Sequence, residues 1–299
     1  MRLRDMEHSD DTRIVLRADA LAAGITDREL AALDRLAPGC YVPRSDRRFF
    51  PEERHRLVAI AMAAKSGGVL SHQSAAAVHG LGMLSPDFKR VHFTSVGAHG
   101  NIRGMRHTHS GFLADDEVVV VNGVEVTSIE RTAVDVACAA RFPGALTIMD
   151  SALRAGADRD RMEELCAASQ RRGIRVARRA LVLGDGQSAN PGESWSRAQM
   201  IAAGLPLPTL QREMWIGGRQ YFLDFDFGGR IDGEFDGERK YTEHRRPGED
   251  AAAVVIREKN RENAIRSTGM LVERWDWSDL RSGAMIPRVT KALKACGLV

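Results

Sequence analysis

Five carboxylates stand within thirteen residues of the segment LDFDFGGRIDGEFDG: Asp224, Asp226, Asp232, Glu234 and Asp236. Apolar and acidic residues alternate over 223–227, which predicts a strand with its aromatic side chains inward. Gly228 and Gly229 predict a turn into a second strand that carries the other three acids. Cross-strand neighbours in a hairpin point the same way, so the two acidic faces merge if the register fits.

Carboxylates at this spacing repel one another unless a cation or ready access to water relieves the charge. Oxygen ligands in this number suit Mg²⁺, Mn²⁺ or Ca²⁺ better than zinc. A carboxylate-held Mg²⁺ can lower the pKa of its bound water and shield phosphate oxygens, which is the chemistry of phosphodiester hydrolysis. The alternative is a solvated acidic face of a hairpin, with no ligand at all.

Composition limits the classes of protein that the chain can belong to. A length of 299 residues predicts two or three domains, and a net charge of +3 is too small to indicate nucleic-acid binding by itself. The four cysteines lack paired spacing, which predicts neither a zinc finger nor a disulfide framework and fits a reducing cytosol. The start MRLRDMEHSDD lacks the apolar core of a signal peptide, and no apolar run is long enough to span a membrane. We therefore expect a cytoplasmic protein without membrane contact.

The sequence over residues 1–50 predicts a small winged helix-turn-helix. Apolar spacing indicates a helix over Thr12–Ala22, and Gly24 breaks it. Thr26, with Glu29 three positions on, is a capping box for a second helix over Asp27–Leu36. A short strand and the basic run RSDRR (44–48) follow, as in a basic wing that contacts DNA. A plain helical hairpin with a solvated basic loop is the alternative.

Residues 51–185 predict a mixed α+β middle domain, with Asn122-Gly123 as a strong hairpin signal. Six histidines gather over residues 72–109, and His107 and His109 are expected to project from one strand face. The sequence indicates no third ligand, so surface or core histidines remain the alternative to a metal site. The basic run RRGIRVARR (171–179) is open to two interpretations, phosphate contact or a solvated helix face.

Residues 186–299 predict a third domain in the order helix, strand, hairpin strands, helix, strand. Its first helix starts near Pro191 and carries Glu193 in the first turn, where an acid is favourable with the helix dipole. The overall fold class predicted for the chain is α/β (α+β overall).

Two known families resemble parts of this sequence. The segments ESWSRAQMIAAGLPLP, YFLDFDF, GEFDGERKY and REKNRE followed by MLVERWDW, over roughly residues 188–281, resemble very-short-patch-repair-like endonucleases of the PD-(D/E)XK superfamily. The segment ALAAGITDRELAALDRLAPGCYVP resembles the N-terminal winged helix of AbiEi-type antitoxins. LSHQSAAAVHGL and VTSIERTAVDVA resemble the region between those two domains in the same actinobacterial proteins.

The nuclease resemblance implies a helix acid, a strand Asp and a Glu-X-Lys, which correspond to Glu193, Asp224 and Glu234. Asp236 stands where that pattern has lysine, and Lys240 is the nearest lysine. The implied site has Asp224, Glu234 and Asp236 as ligands of Mg²⁺ (or Mn²⁺), with Lys240 steadying the transition state. Asp226 and Asp232 are alternative metal ligands, because a strand register that differs by one pair would place them in the site instead.

These observations support three hypotheses on function. The first is a Mg²⁺-dependent DNA endonuclease or nickase that the N-terminal domain brings to DNA. The second is a DNA-binding regulator of antitoxin type, whose nuclease-like domain is inactive and whose partner includes a cognate toxin. The third is a toxin-binding module for which DNA matters little. The missing Glu-X-Lys favours the second hypothesis, and the carboxylate set favours the first.

Overall fold

The computed structural model describes residues 14–44, 49–97, 99–237 and 251–299, with the backbone alone for 251–255 and 258. The chain forms two compact units, one of residues 1–136 with 158–169 and one of 137–157 with 170–299. The mixed α+β class predicted from the sequence is confirmed. The three-part division at residues 50/51 and 185/186 stays a prediction.

The first unit contains β1 (Val15–Leu16), α1 (Arg17–Ala22), α2 (Asp27–Leu30), β2 (Asp34–Ala37), β3 (Cys40–Val42), α3 (Pro51–Ser66), β4 (Val69–Leu70), α4 (His72–Val78), β5 (Val91–Ser95), β6 (Asn101–Arg103), β7 (Arg106–Ser110), β8 (Val118–Val121), β9 (Val124–Thr127) and most of α5 (Ile129–Ala139). Next along the chain are α6 (Phe142–Arg154), which belongs to the second unit, and α7 (Arg159–Ala168), which belongs to the first. The second unit continues with α8 (Ile174–Val182), α9 (Pro191–Ala202), β10 (Thr209–Ile216), β11 (Arg219–Phe227), β12 (Ile231–Asp236), α10 (Ala251–Ser267), β13 (Leu271–Asp276), α11 (Trp277–Ser282) and α12 (Met285–Ala295).

The N-terminal segment pairs two short helices with a three-stranded antiparallel sheet of order β1-β3-β2. The Thr26–Glu29 capping box is confirmed, because each side chain binds the backbone N–H of the other residue. The predicted helix bounds are wrong at two ends. Val15 and Leu16 form β1 rather than helix, and the second helix ends at Leu30 because β2 pairs with β3. Backbone pairing across the sheet thus overrides helical periodicity there.

The rest of the first unit is built on a six-stranded sheet of order β6-β7-β5-β4-β9-β8. The hairpin at Asn122-Gly123 is confirmed: both residues have positive φ, as a two-residue turn of type I′ requires, and β8 pairs antiparallel with β9. The strands β5 and β7 run parallel, although they are separated by only ten residues that include β6. This parallel pairing positions the histidines described below.

The second unit carries a four-stranded sheet of order β10-β11-β12-β13. β10, β11 and β12 are antiparallel, and β13 returns through α10 to pair parallel with β12. The predicted order of helix, strand, hairpin strands, helix and strand is confirmed. Phe225, Phe235 and Trp275 are buried in its core, and a Cβ on Gly192 would lie 2.0 Å from the Phe235 ring. Helix α9 therefore begins in direct contact with the sheet.

None of the helices in the described part of the chain is both long enough and apolar enough to cross a membrane.

Candidate functional sites

The acidic residues of β11 and β12 do meet on one face of the hairpin. Asp226 lies directly opposite Asp232, and Phe225 lies opposite Gly233. Asp224 and Glu234 stand two residues from Asp226 and Asp232 along their strands, and therefore lie on the same face. Two strands that were each acidic on one side therefore combine their carboxylates, as the sequence predicted for a suitable register.

This acidic face is buried rather than solvated. Asp226, Asp232 and Glu234 keep 4%, 0% and 3% of their accessible surface, whereas Asp224 and Asp236 are half-buried. The solvated-face alternative is therefore wrong. Buried carboxylates require hydrogen-bond or charge partners, so the surroundings of each acid decide what the face can do.

Glu193 and Asp224 are joined through the side chain of Gln211. Its Nε2 donates to Glu193 Oε2 at 3.4 Å and to Asp224 Oδ1 at 3.2 Å. Glu193 also accepts hydrogen bonds of 2.7 Å from the Ala189 N–H and from Asn190 Nδ2. Asp224 Oδ2 accepts from the Phe235 N–H at 3.3 Å. The structure thus brings together the helix acid and the strand Asp that the nuclease resemblance singled out.

Arginines supply the positive charge at this face. Glu234 forms ion pairs with Arg261 of α10 and with Arg274 of β13, the latter at 2.6 Å. Asp226 pairs with Arg212 of β10 at 2.7 Å. The sequence analysis missed Arg212 and Arg274. No alternation marked them, because Arg212 stands between Gln211 and Glu213, and Arg274 follows Glu273.

Asp232 differs from its neighbours. Neither carboxylate oxygen has a hydrogen-bond partner among the described residues, although Asp232 is fully buried. Burial, together with the negative charges of Asp224 and Asp226, raises the pKa of Asp232 to about 7 against the opposing effect of Arg261 and Arg274. Asp232 is therefore the group in this face that would gain most from an added cation or a proton.

The predicted Mg²⁺ ligands do not form a ready cage in this arrangement. Among the described side chains, carboxylates of three acids do not come within 4.8 Å of one another. The oxygen donors suit Mg²⁺ chemically, but Arg261 and Arg274 occupy Glu234, and an ion there would have to displace them. Asp236 ends β12 opposite Asp276, and Lys240 lies outside the described residues.

Four histidines of the first unit form a cluster (hereafter the histidine cluster): His72, His92, His107 and His109. The ring of His109 stacks on that of His72 at 3.8 Å and lies 4.0 Å from that of His107, measured between centroids. His92 Nδ1 and His109 Nε2 are 2.9 Å apart and share a hydrogen bond. The third ligand that the sequence did not indicate is thus His92, from the neighbouring strand.

The imidazoles of His92, His107 and His109 are held neutral at pH 7. Burial, and then the nearby His109 and His107, lower the pKa of His92 to about 3. Burial, and then His107, lower the pKa of His109 to about 4. Burial, and then Arg90, also lower the pKa of His107. Each neutral ring keeps one nitrogen lone pair, which is available to a hydrogen-bond donor or to a metal.

The candidate DNA-binding residues are exposed arginines of the N-terminal segment. Arg28 is exposed on α2, and Arg35 is exposed on β2 at the edge of the small sheet. Arg17 is engaged with Asp27 at 2.7 Å, and Arg44 lies 3.7 Å from Asp34. The remainder of the predicted basic wing, 45–48, lies outside the described residues.

The basic run 171–179 forms the start of α8 and the turn before it. Its arginines are exposed, while Ile174 and Ala177 are buried. The guanidinium of Arg179 lies over the Phe142 ring at 4.5 Å. The arginines of this run therefore form the polar side of an amphipathic helix. Contact of these arginines with phosphate stays a prediction.

Comparison with known proteins places an antitoxin-like segment in the middle of the chain. Residues 66–184 match the family described as AbiEi antitoxin C-terminal domain. That segment includes β4 to β9 and the histidine cluster. The AbiEi-like part of the predicted resemblance is thus supported, whereas the endonuclease resemblance of residues 188–281 stays a prediction.

Two curated proteins of Mycobacterium tuberculosis are 41% identical to this chain over 108 residues: uncharacterized protein MT2308 of strain CDC 1551 / Oshkosh and uncharacterized protein Rv2248 of strain ATCC 25618 / H37Rv. The match covers 35% of this chain and 40% of each relative, so the chain spans well under half the length of these relatives. The crystal structure of the Rv2827c protein from Mycobacterium tuberculosis is similar over 68% of this chain and 83% of that one, at 15% identity and a TM-score of 0.37.

Proposed function

We propose that this protein is a DNA-binding regulator of antitoxin type, with a cognate toxin as its protein partner. The observation that carries this proposal is the match of residues 66–184 to the AbiEi antitoxin C-terminal domain. The N-terminal segment adds a means of binding DNA, because two short helices joined by a turn lie beside an antiparallel hairpin. In helix-turn-helix proteins the second helix enters the major groove with its N-terminal residues.

Arg28 is the residue of α2 that the proposal places closest to DNA. It is exposed at the second position of that helix, and a guanidinium there can contact a phosphate or a guanine edge. The arginine pairing of the acidic face is consistent with a regulator, since Asp226 and Glu234 each have an arginine as counter-charge. DNA binding in this case does not require a divalent cation.

We expect Arg28→Glu to weaken DNA binding by about tenfold or more, because the change removes one contact and adds repulsion from phosphate. The measurement is a gel-shift selection on a randomised duplex in EDTA, followed by fluorescence anisotropy on the selected sequence at several salt concentrations.

Arg219→Glu is the matched control, since Arg219 is equally exposed but lies in the second unit, on β11. Its effect on affinity should be much smaller than that of Arg28→Glu. Equal weakening by both variants would indicate non-specific charge attraction, and an absence of any selected sequence would contradict the DNA-binding role.

A Mg²⁺-dependent endonuclease is the second candidate, because the buried carboxylate of Asp232 has no hydrogen-bond partner in the described part of the chain and shares a hairpin face with Asp224 and Glu234. A bound ion would activate water and shield the phosphate. Asp224 and Glu234 would hold the ion, Glu193 would support Asp224 through Gln211, and Lys240 is proposed to steady the transition state.

The test of this second candidate is cleavage of supercoiled plasmid and of mismatched or branched duplexes in Mg²⁺, Mn²⁺ or EDTA. Metal-dependent nicking that is lost in Glu234→Ala but retained in the exposed-residue variant Glu213→Ala would support the enzyme. Equal cleavage by wild type and Glu234→Ala would identify a contaminant, and no cleavage at all would leave the regulator as the function.

A further inference from the structure

The parallel pairing of β5 and β7 creates a site that no single segment of the sequence contains. His92 lies opposite His107, and Thr94 lies opposite His109. His107 and His109 are two residues apart on one strand face, and His92 joins them from the adjacent strand. One nitrogen from each of the three rings lies within 4.8 Å of the others.

The spacing of these nitrogens is close to that of a tetrahedral metal site. With metal–nitrogen bonds of about 2.0–2.1 Å, tetrahedral ligands stand about 3.3 Å apart. His92 Nδ1 and His109 Nε2 are 2.9 Å apart. A small rotation of either ring would open the pair to admit an ion, without any change in the strands.

The surroundings hold His92 in place. The Ser74 hydroxyl oxygen accepts the backbone N–H of His92 at 2.8 Å and also contacts His55 Nε2 at 2.9 Å. His72 stacks on His109 at 3.8 Å and has a φ of 51°, a left-handed value that histidine adopts more often than most residues do.

The hydrogen bond between His92 and His109 uses one nitrogen of each ring, and the rings of His92, His107 and His109 are half-buried. A cation shared by three lone pairs would satisfy them together. Imidazole ligands suit zinc and the neighbouring first-row divalent metals, whereas Mg²⁺ and Ca²⁺ prefer oxygen.

We propose that His92, His107 and His109 bind one Zn²⁺ ion in the first unit. Three protein ligands leave a fourth position for water or for a group brought by a partner. His72 covers the site from the side of His109. This site is separate from the acidic face of the second unit and does not depend on the proposed DNA binding.

The test uses tag-free full-length protein, stripped with EDTA and then titrated with Co²⁺ as a spectroscopic substitute for Zn²⁺. We expect one equivalent of Co²⁺ to produce the visible d–d bands of a tetrahedral site. Added Zn²⁺ should displace the Co²⁺ and abolish these bands. His107→Gln and His109→Gln should each weaken binding by at least about tenfold. His99→Gln is the matched control, since His99 is exposed and lies outside the cluster.

Far-UV circular dichroism verifies that each variant is folded. If a variant does not fold, X-ray absorption on the zinc-loaded wild type counts the imidazole donors directly, and three are expected. Failure to bind Co²⁺, a thiolate charge-transfer band, fewer than three imidazoles, or unchanged affinity in both folded variants would each overturn the proposal.

Discussion

Replacing Arg131 by methionine is expected to lower the free energy of unfolding of the first unit by about 3–5 kcal/mol. The Arg131 guanidinium donates to Glu117 Oε2 at 2.5 Å, to Asp135 Oδ1 at 3.0 Å and to the Phe112 carbonyl at 3.1 Å. All three charged side chains are less than 10% exposed. Methionine fills similar space but leaves two buried carboxylates without their cation, and the fold must either protonate or expose them.

The readout for Arg131→Met is amide hydrogen exchange of β8, β9 and α5, together with urea unfolding followed by circular dichroism. Arg131→Lys should retain part of the stability, because it keeps the charge but loses the fork that binds two acids. Arg103→Met is the control: Arg103 is exposed on β6, and the expected change is within about 0.5 kcal/mol. A loss below about 1 kcal/mol for Arg131→Met would show that the buried ion pairs contribute little.

Replacing Asp232 by asparagine is expected to stabilise the second unit at pH 8 by up to about 4 kcal/mol. Burial is the main cause that raises the pKa of Asp232 in the folded protein to about 7, from the usual 3.8 of an aspartate. Asparagine is almost isosteric, carries no charge, and can donate to Asp226 across the hairpin. The variant therefore removes the repulsion and the desolvation that the ionised aspartate suffers.

The sign of the pH dependence follows from proton binding. Between about pH 4 and pH 7 the unfolded chain loses the Asp232 proton while the folded chain keeps it, so the stability of the wild type falls as pH rises through this window. Below pH 4 both states are protonated, and the difference between wild type and Asp232→Asn should largely vanish. Above pH 7 the difference should reach its full value.

All four tryptophans lie in the second unit, so their fluorescence reports the unfolding of that unit in urea. The comparison is made in EDTA at pH 4, 6 and 8. Asp236→Asn serves as the control, because Asp236 is half-buried at the end of the same strand. A destabilised Asp232→Asn at pH 8 would mean that the ionised carboxylate has a partner such as a tightly held cation.

The same measurement bears on the second candidate function. If Mg²⁺ binds the acidic face, adding it at pH 8 should stabilise the wild type by mass action and stabilise Asp232→Asn less. If arginines alone neutralise the face, Mg²⁺ should leave both proteins unchanged. The acidic face then acts as a set of ion pairs that join β10 to β11, and β12 to both β13 and α10.

Local features of the sequence are expressed directly in the structure. The Thr26–Glu29 capping box and the Asn122-Gly123 turn depend on contacts within a few residues, and both formed as predicted. Alternation along 223–227 likewise identified a strand, with Phe225 and Phe227 buried. Such features are determined by backbone geometry and nearest neighbours, so a single sequence is enough to recognise them.

Tertiary structure alone decided the partners of the charged and polar side chains. Glu234 meets Arg261 and Arg274 only because α10 returns β13 to the edge of β12 in parallel register. His92 joins His107 and His109 only because β5 and β7 are parallel. The sequence specified which residue types stand on each face, but strand order and register bring faces together. Pairing between distant segments therefore decides whether a carboxylate meets an arginine and whether three imidazoles converge.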